Sequence, residues 1–226
     1  MNKLEVLVDY CQSLGTPLSS DQLEQLSRFH HDLYEKNEVM NLTRVSAEDA
    51  VFRHYLDSIL VSALIPKDST VLDIGTGPGF PSWLLAWFRP DLKVTGMDGS
   101  NKGLIFLRSQ ALPNLTVVQA RAEEPPSRES FDFVTGRALA PLPIQIELAA
   151  AQAKIGGVVV PFRTPTEREA ATKLKTSKVG LELETIHEVL MPGTDVVRLF
   201  PVWRKGTATP REFPRPWSKI KQKPLA

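Results

Sequence analysis

Val71-Leu-Asp-Ile-Gly-Thr-Gly-Pro-Gly-Phe80 decides the fold of this 226-residue chain. An apolar run leads into Asp73, and glycines follow at Gly75, Gly77 and Gly79 with one residue between each. Glycine serves where the backbone needs φ > 0 or where a ligand must approach without a Cβ in the way. A buried strand that ends in such a turn and opens into a helix is how α/β proteins hold adenosine-containing cofactors.

The flanking pattern agrees. Short β-rich runs over 71–74, 94–97, 115–118, 131–135 and 157–162 alternate with helical spacing over 81–88, 102–112 and 142–154. Such alternation predicts crossover connections and a mostly parallel sheet with helices on both faces. A helix is expected over 167–178. Strands follow over 181–190 and 196–203, joined by a turn so short that they must be antiparallel, which adds an edge hairpin.

Upstream of the turn the chain reads as helices. Leu4, Leu7, Val8 and Cys11 share a face, and Ser19-Ser-Asp-Gln22 offers a capping box to a helix bearing Leu23, Leu26, Phe29 and Leu33. One helix is expected from Ser46 through Phe52, Tyr55 and Ile59 to Ala63, ended by Pro66. The predicted organisation is a helical cap (1–66), a cofactor-binding core (67–203) and a basic tail (204–226).

Hydrophobic content of 42% and charged content of 23% are those of an ordinary soluble protein. Apolar runs are too short for a bilayer span, so no membrane partner is expected. Glu5 and Asp9 interrupt any signal-like pattern at the N-terminus. Cys11 is the single cysteine, which rules out an internal disulfide and suits a reducing cytoplasm. One Cys with four scattered His argues against a four-ligand structural zinc site, and no metal is expected. No long apolar heptad stands out, so a monomer is expected.

Charge is unevenly spread. Residues 1–40 hold seven acids and three bases, whereas 204–226 hold seven bases and one acid. Trp203, Phe213 and Trp217 interleave with the basic run, a mixture that can grip phosphates and stack on bases. A solvated terminal tail is the competing reading.

Three adenosine-binding readings compete for the glycine turn. A P-loop needs Gly-x-x-x-x-Gly-Lys-Ser/Thr, and that lysine is missing. A dinucleotide site wants Gly-x-Gly-x-x-Gly, but the third glycine comes one residue early. The spacing Asp-x-Gly-x-Gly-x-Gly resembles the first motif of class I methyltransferases, which bind S-adenosylmethionine (SAM), a cofactor without phosphate. Asp98, 19 residues after Gly79 at the end of Lys93-Val-Thr-Gly-Met-Asp98, is placed to accept ribose hydroxyls or to cap the next helix. Ala120-Arg-Ala-Glu-Glu124 sits where related enzymes put an acid near the adenine amine. The expected fold is therefore α/β, a Rossmann-like class I SAM-dependent methyltransferase.

Asn41-Leu-Thr-Arg44, Arg53-His-Tyr-Leu-Asp-Ser-Ile59, the glycine turn, Gly136-Arg-Ala-Leu-Ala140, Phe213-Pro-Arg215 and Lys223-Pro-Leu225 occur in one order along the chain. That ordered set resembles the bacterial RsmG (GidB) family, which methylates N7 of a guanosine in 16S ribosomal RNA. The resemblance implies SAM contacts at Gly75, Phe80, Asp98, Ala122, Glu123 and Arg137, with Gly77 and Gly79 shaping the turn. It implies 16S rRNA, in the small subunit or an assembly intermediate, as the partner. Arg163, Arg204, Lys205, Arg211, Arg215, Lys219, Lys221 and Lys223 are candidate phosphate contacts. Asn41 and Arg44 are expected to organise the cap–core junction, and His54 to play a structural or RNA-contacting part. The chain departs from the family pattern at Gly103, Thr164 and Ser218.

Guanine N7 has an in-plane lone pair free at neutral pH, so its methylation needs no general base. Arg137 is therefore cast as orienting the base or the SAM carboxylate. The rival functions are a small-molecule methyltransferase and a non-catalytic RNA-binding or ribosome-assembly factor on the same fold. A nicotinamide-dependent oxidoreductase ranks last on glycine spacing.

Overall fold

The computed structural model describes residues 3–226. Two long helices open it, α1 (Lys3–Ser13) and α2 (Ser20–Met40). The capping box at α2 is formed: the Ser19 hydroxyl accepts the Gln22 N–H while the Gln22 side chain accepts the Ser19 N–H. Asn41 ends α2 in the left-handed conformation at φ 47°, as a small polar residue can.

The next stretch differs from the single helix expected over 46–63. It breaks into a 3₁₀ turn (Ala47–Asp49), a wide π turn (Val51–Leu56), one α turn, α3 (Asp57–Ile59), and a second 3₁₀ turn (Leu60–Leu64). Wide turns of this kind re-aim side chains and recur at functional sites. Here His54 and Asp57 take arginine partners from 80 or more residues away, and apolar spacing carries no trace of such partners.

The core is β1 (Thr70–Ile74), α4 (Ser82–Phe88), β2 (Lys93–Asp98), α5 (Asn101–Ser109), β3 (Leu115–Gln119), β4 (Phe131–Thr135), α6 (Leu142–Ala150), β5 (Ala153–Val159), α7 (Arg168–Lys173), β6 (Leu181–Leu190) and β7 (Val197–Lys205). A last short helix, α8 (Trp217–Gln222), lies in the C-terminal segment. The sheet runs β3-β2-β1-β4-β5-β7-β6, parallel through β5 and antiparallel at β7 and β6. Strand order reverses between β1 and β4, and ligands of open α/β sheets sit at the carboxyl edge of such a switch.

Alternate strand residues feed the two faces, as a period of two requires. Val71, Phe133, Val158 and Val202 pack with α1, α2, α4 and α5; Leu72, Val134, Val159 and Trp203 pack with α6 and with Leu225 near the C-terminus. The helix expected over 142–154 is shorter, because Ala153 and Lys154 already belong to β5. The helix expected over 167–178 is one short α-helix between 3₁₀ turns. Among the described residues, no helix is long and apolar enough to cross a membrane.

Candidate active site

β1 carries Asp73 into the interior and leaves the glycine turn at the carboxyl edge of the sheet. Gly75, Gly77 and Gly79 have φ of 77°, 54° and 114°. The positive φ favours glycine at Gly75, and a Cβ there would stand 2.6 Å from Leu139 Cδ1 and displace that methyl. Asp73 Oδ2 accepts the Ser82 N–H at 3.0 Å and ties the strand to the start of α4, while its Oδ1 has no partner. Burial pushes its carboxyl up to about 7.

Asp98 closes the turn from β2. Its Oδ2 accepts the Gly77 N–H at 2.9 Å and its Oδ1 the Ser100 N–H at 2.7 Å, with lone pairs left toward solvent. α5 then seats on the turn at Gly103, where a Cβ would collide with the Gly77 carbonyl group and the Pro78 nitrogen. That close approach explains the glycine at this departure from the family pattern.

A cavity of about 310 Å³ opens beside the turn, lined by Gly75, Met97, Asp98, Ala122, Glu123, Leu139, Leu148 and Trp217 among others. Its size is that of a small-molecule site. Two carboxylates face it, and its one basic side chain, Arg121, is paired with Glu123 at 3.7 Å. The lining thus offers acceptors for hydroxyls and an amine, with apolar walls for a planar ring, and no spare cation for a phosphate. These residues fit SAM. Of the contacts predicted from sequence, Gly75, Asp98, Ala122 and Glu123 come together here.

Phe80 and Arg137 lie instead in an adjoining network with the helical cap. Phe80 is buried and stacks on His54 at 4.0 Å between ring centroids. The Arg137 guanidinium lies 5.5 Å over the same ring and donates to Asp57 Oδ2 (2.8 Å), the Arg53 carbonyl (2.8 Å) and His54 Nδ1 (3.0 Å). Asp57, 1% exposed, also accepts from Arg198 Nε at 2.6 Å. Since arginine only donates, His54 Nδ1 accepts, and Nε2–H donates to Thr43 Oγ1 at 2.7 Å. His54 is therefore a neutral interior brace with both nitrogens engaged. Burial first, and the Arg137 charge second, hold its pKa down to about 3.

A pH dependence follows. The unfolded chain titrates His54 near 6.5, well above the folded value, so the unfolded state takes up the proton first as pH falls. The stability contribution is whole above that pH and is lost progressively between 6.5 and about 3. Urea melts at about pH 7 and about pH 5 should show a smaller acid loss for His54→Gln than for wild type. Equal losses would remove His54 as the cause.

The basic candidates separate in the structure. Lys205 is fully buried, donating to the Ala150 carbonyl at 2.5 Å and to Thr209, and burial lowers its pKa to about 8. Arg163 is buried too, bracing the Ala140 carbonyl, Gln145 and Glu167. Neither can meet a phosphate; both correct the sequence expectation, as does Trp203, which is fully buried rather than free to stack. Arg204 pairs with Glu184 on the hairpin, and Arg215 is clasped by the buried carboxylate of Glu147. Arg211, Lys219, Lys221 and Lys223 are exposed with no side-chain partner among the described residues. Arg44 is exposed, and Thr164 caps the turn at Glu167.

Sequence reasoning missed Asp57, Arg198, Glu147 and the place of Trp217. Asp57 lay inside a quoted block, but its two arginines come from 80 and 141 residues away. No local pattern reports such pairings.

The family model for GidB, rRNA small subunit methyltransferase G, matches residues 22–192. A ribosomal RNA small subunit methyltransferase G of Limosilactobacillus reuteri is 35% identical over 229 residues, covering 93% of this chain and 94% of that one. One from Alkaliphilus metalliredigens is 31% identical and covers all of both chains. Among solved structures, a TehB-like SAM-dependent methyltransferase of Corynebacterium glutamicum superposes with a TM-score of 0.54 at 20% identity, covering 77% of this chain and 98% of that one. M. jannaschii TYW2 in complex with AdoMet gives 0.52 at 14%, covering 66% and 73%. These two likenesses are of fold.

Proposed function

Because the chain belongs to the GidB family of rRNA small subunit methyltransferases G, a SAM-dependent group, we propose that it methylates N7 of a guanosine in 16S rRNA. The observation that carries this reading is the joining of a phosphate-free cofactor cavity to a cap-side network that offers orientation and no base. When bound, SAM supplies an electrophilic methyl group. Asp98 accepts ribose hydroxyls through its free lone pairs, and Glu123 receives the adenine amine. Arg137, fixed by Asp57 and His54, orients the acceptor purine. Guanine N7 presents its lone pair at neutral pH, so positioning and electrostatics suffice. The reading places the enzyme in the cytoplasm as a monomer acting on the small subunit or its assembly intermediate.

Incubation with methyl-labelled SAM tests it, offering small subunits, naked 16S rRNA and a metabolite extract in parallel. Label on a guanine N7 of the rRNA is expected. Label on metabolites would favour a small-molecule enzyme, and SAM binding without transfer an assembly factor.

Arg211, Lys219 and Lys221 are three of the four exposed tail cations with no side-chain partner among the described residues, and they suit phosphate contacts. Replacing all three with Ala should weaken rRNA binding and flatten its logarithmic salt dependence by roughly two to three units. S-adenosylhomocysteine affinity should stay unchanged. An unaltered salt slope would remove these residues from the RNA interface.

A further inference from the structure

The C-terminal segment enters the cofactor site. Trp217, at the start of α8, lines the cavity, and it is the only aromatic residue to do so among those described. Its neighbours hold it there. Two residues earlier, the Arg215 backbone N–H and Nε both donate to Glu147 Oε1 at 2.9 Å, and Glu147 is itself fully buried in α6. Three residues later, on the same helical side, Ile220 is buried against Ile144 and Leu148, with Ala122 and Leu139 packed on the same cluster. Leu148, Ala122 and Leu139 all line the cavity as well. The segment is therefore pinned on both sides of Trp217, with the indole between the pins at the cavity wall.

The indole is still 40% exposed, whereas Trp83, Trp87 and Trp203 are at most 3% exposed. A large aromatic face left half in water beside a ligand cavity is suited to a planar partner. We infer that Trp217 is a cofactor-contacting residue whose indole forms the stacking wall for the adenine ring of SAM, an assignment that rests on the reading above. The adenine, not the amino-acid end, is the partner. The indole lines the same cavity as Ala122 and Glu123, and a π face suits a neutral base better than a zwitterion. The C-terminal segment thus serves the cofactor through Trp217, while its exposed Lys219 and Lys221 face outward.

Calorimetric titration of wild type, Trp217→Ala and Trp217→Phe with SAM, S-adenosylhomocysteine, 5′-methylthioadenosine and methionine tests the assignment, with tryptophan fluorescence as a second readout. Trp217→Ala should weaken all three adenosine-containing probes by a similar factor, roughly five- to fifty-fold, as loss of one base stack does. Trp217→Phe should recover most of that affinity. The adenosine probes should alter wild-type fluorescence, and that change should vanish in Trp217→Ala. Affinity unchanged in Trp217→Ala would overturn the assignment while leaving the methyltransferase reading intact. A loss confined to SAM would also overturn it, since the indole would then be serving the sulfonium charge. Failure of the wild type to bind S-adenosylhomocysteine would overturn both readings together.

Discussion

Replacing Asp57 with alanine is expected to lower unfolding free energy by about 3 kcal/mol, the lower end for removing one partner of a buried ion pair. Asp57 is 1% exposed and is the shared acceptor for Arg137 and Arg198, so its loss strands two guanidinium groups. Arg198 keeps 26% of its side chain in water, which permits partial rehydration and sets the estimate low. For a chain of this size that is a fall in melting temperature of roughly 6–12 °C. Methyl transfer should fall further than stability accounts for, because Arg137 loses the anchor that aims it. Glu169→Ala is the control: that carboxylate and its partner Lys173 are 78% and 74% exposed, so the change should be within about 0.5 kcal/mol. If Asp57→Ala melted within the range of that control, the network would be ornamental to the fold.

Glu147→Ala is expected to act locally instead. Glu147 is fully buried and accepts three donors of Arg215, the shortest from Nη2 at 2.5 Å. Its pairing raises the Arg215 pKa. Arg215 lies at the surface end of the pair, so it can return to water by letting the segment lift off. The cost of about 3 kcal/mol then appears as release of the C-terminal residues and not as global unfolding. Trypsin should cleave after Lys219 and Lys221 at least tenfold faster than in wild type, as opening by that energy allows. S-adenosylhomocysteine affinity should drop alongside, because Trp217 leaves with the segment. Wild-type protease resistance in Glu147→Ala would show that apolar packing through Ile220 and Leu225 holds the segment alone.

How much was legible follows from the range of each interaction. The glycine turn, the strand end at Asp98 and the alternation of strands and helices could be read because each rests on local rules: φ > 0 at Gly75, an apolar run ended by a polar residue, a period of two. The capping box at Ser19 is local as well. The break in the expected 46–63 helix was not legible, since His54 and Asp57 there answer to Arg137 and Arg198. The basic run misled for the same reason. Charge counts cannot tell Lys205 in the interior or Arg215 clasped to Glu147 from Lys219 in solvent.

By itself, then, the sequence determined the sheet, the turn, the cofactor class and, through its ordered blocks, the family. The sheet and the turn are properties of neighbours along the chain, fixed by backbone sterics and hydrophobic period, while the cofactor class and the family rest on resemblance of motifs. Tertiary structure alone decided which cations remain free, what anchors Arg137, and that a tryptophan nine residues from the C-terminus walls a cavity opened by Gly75. Burial and pairing depend on elements far apart in sequence meeting in space, and only the folded chain brings them together.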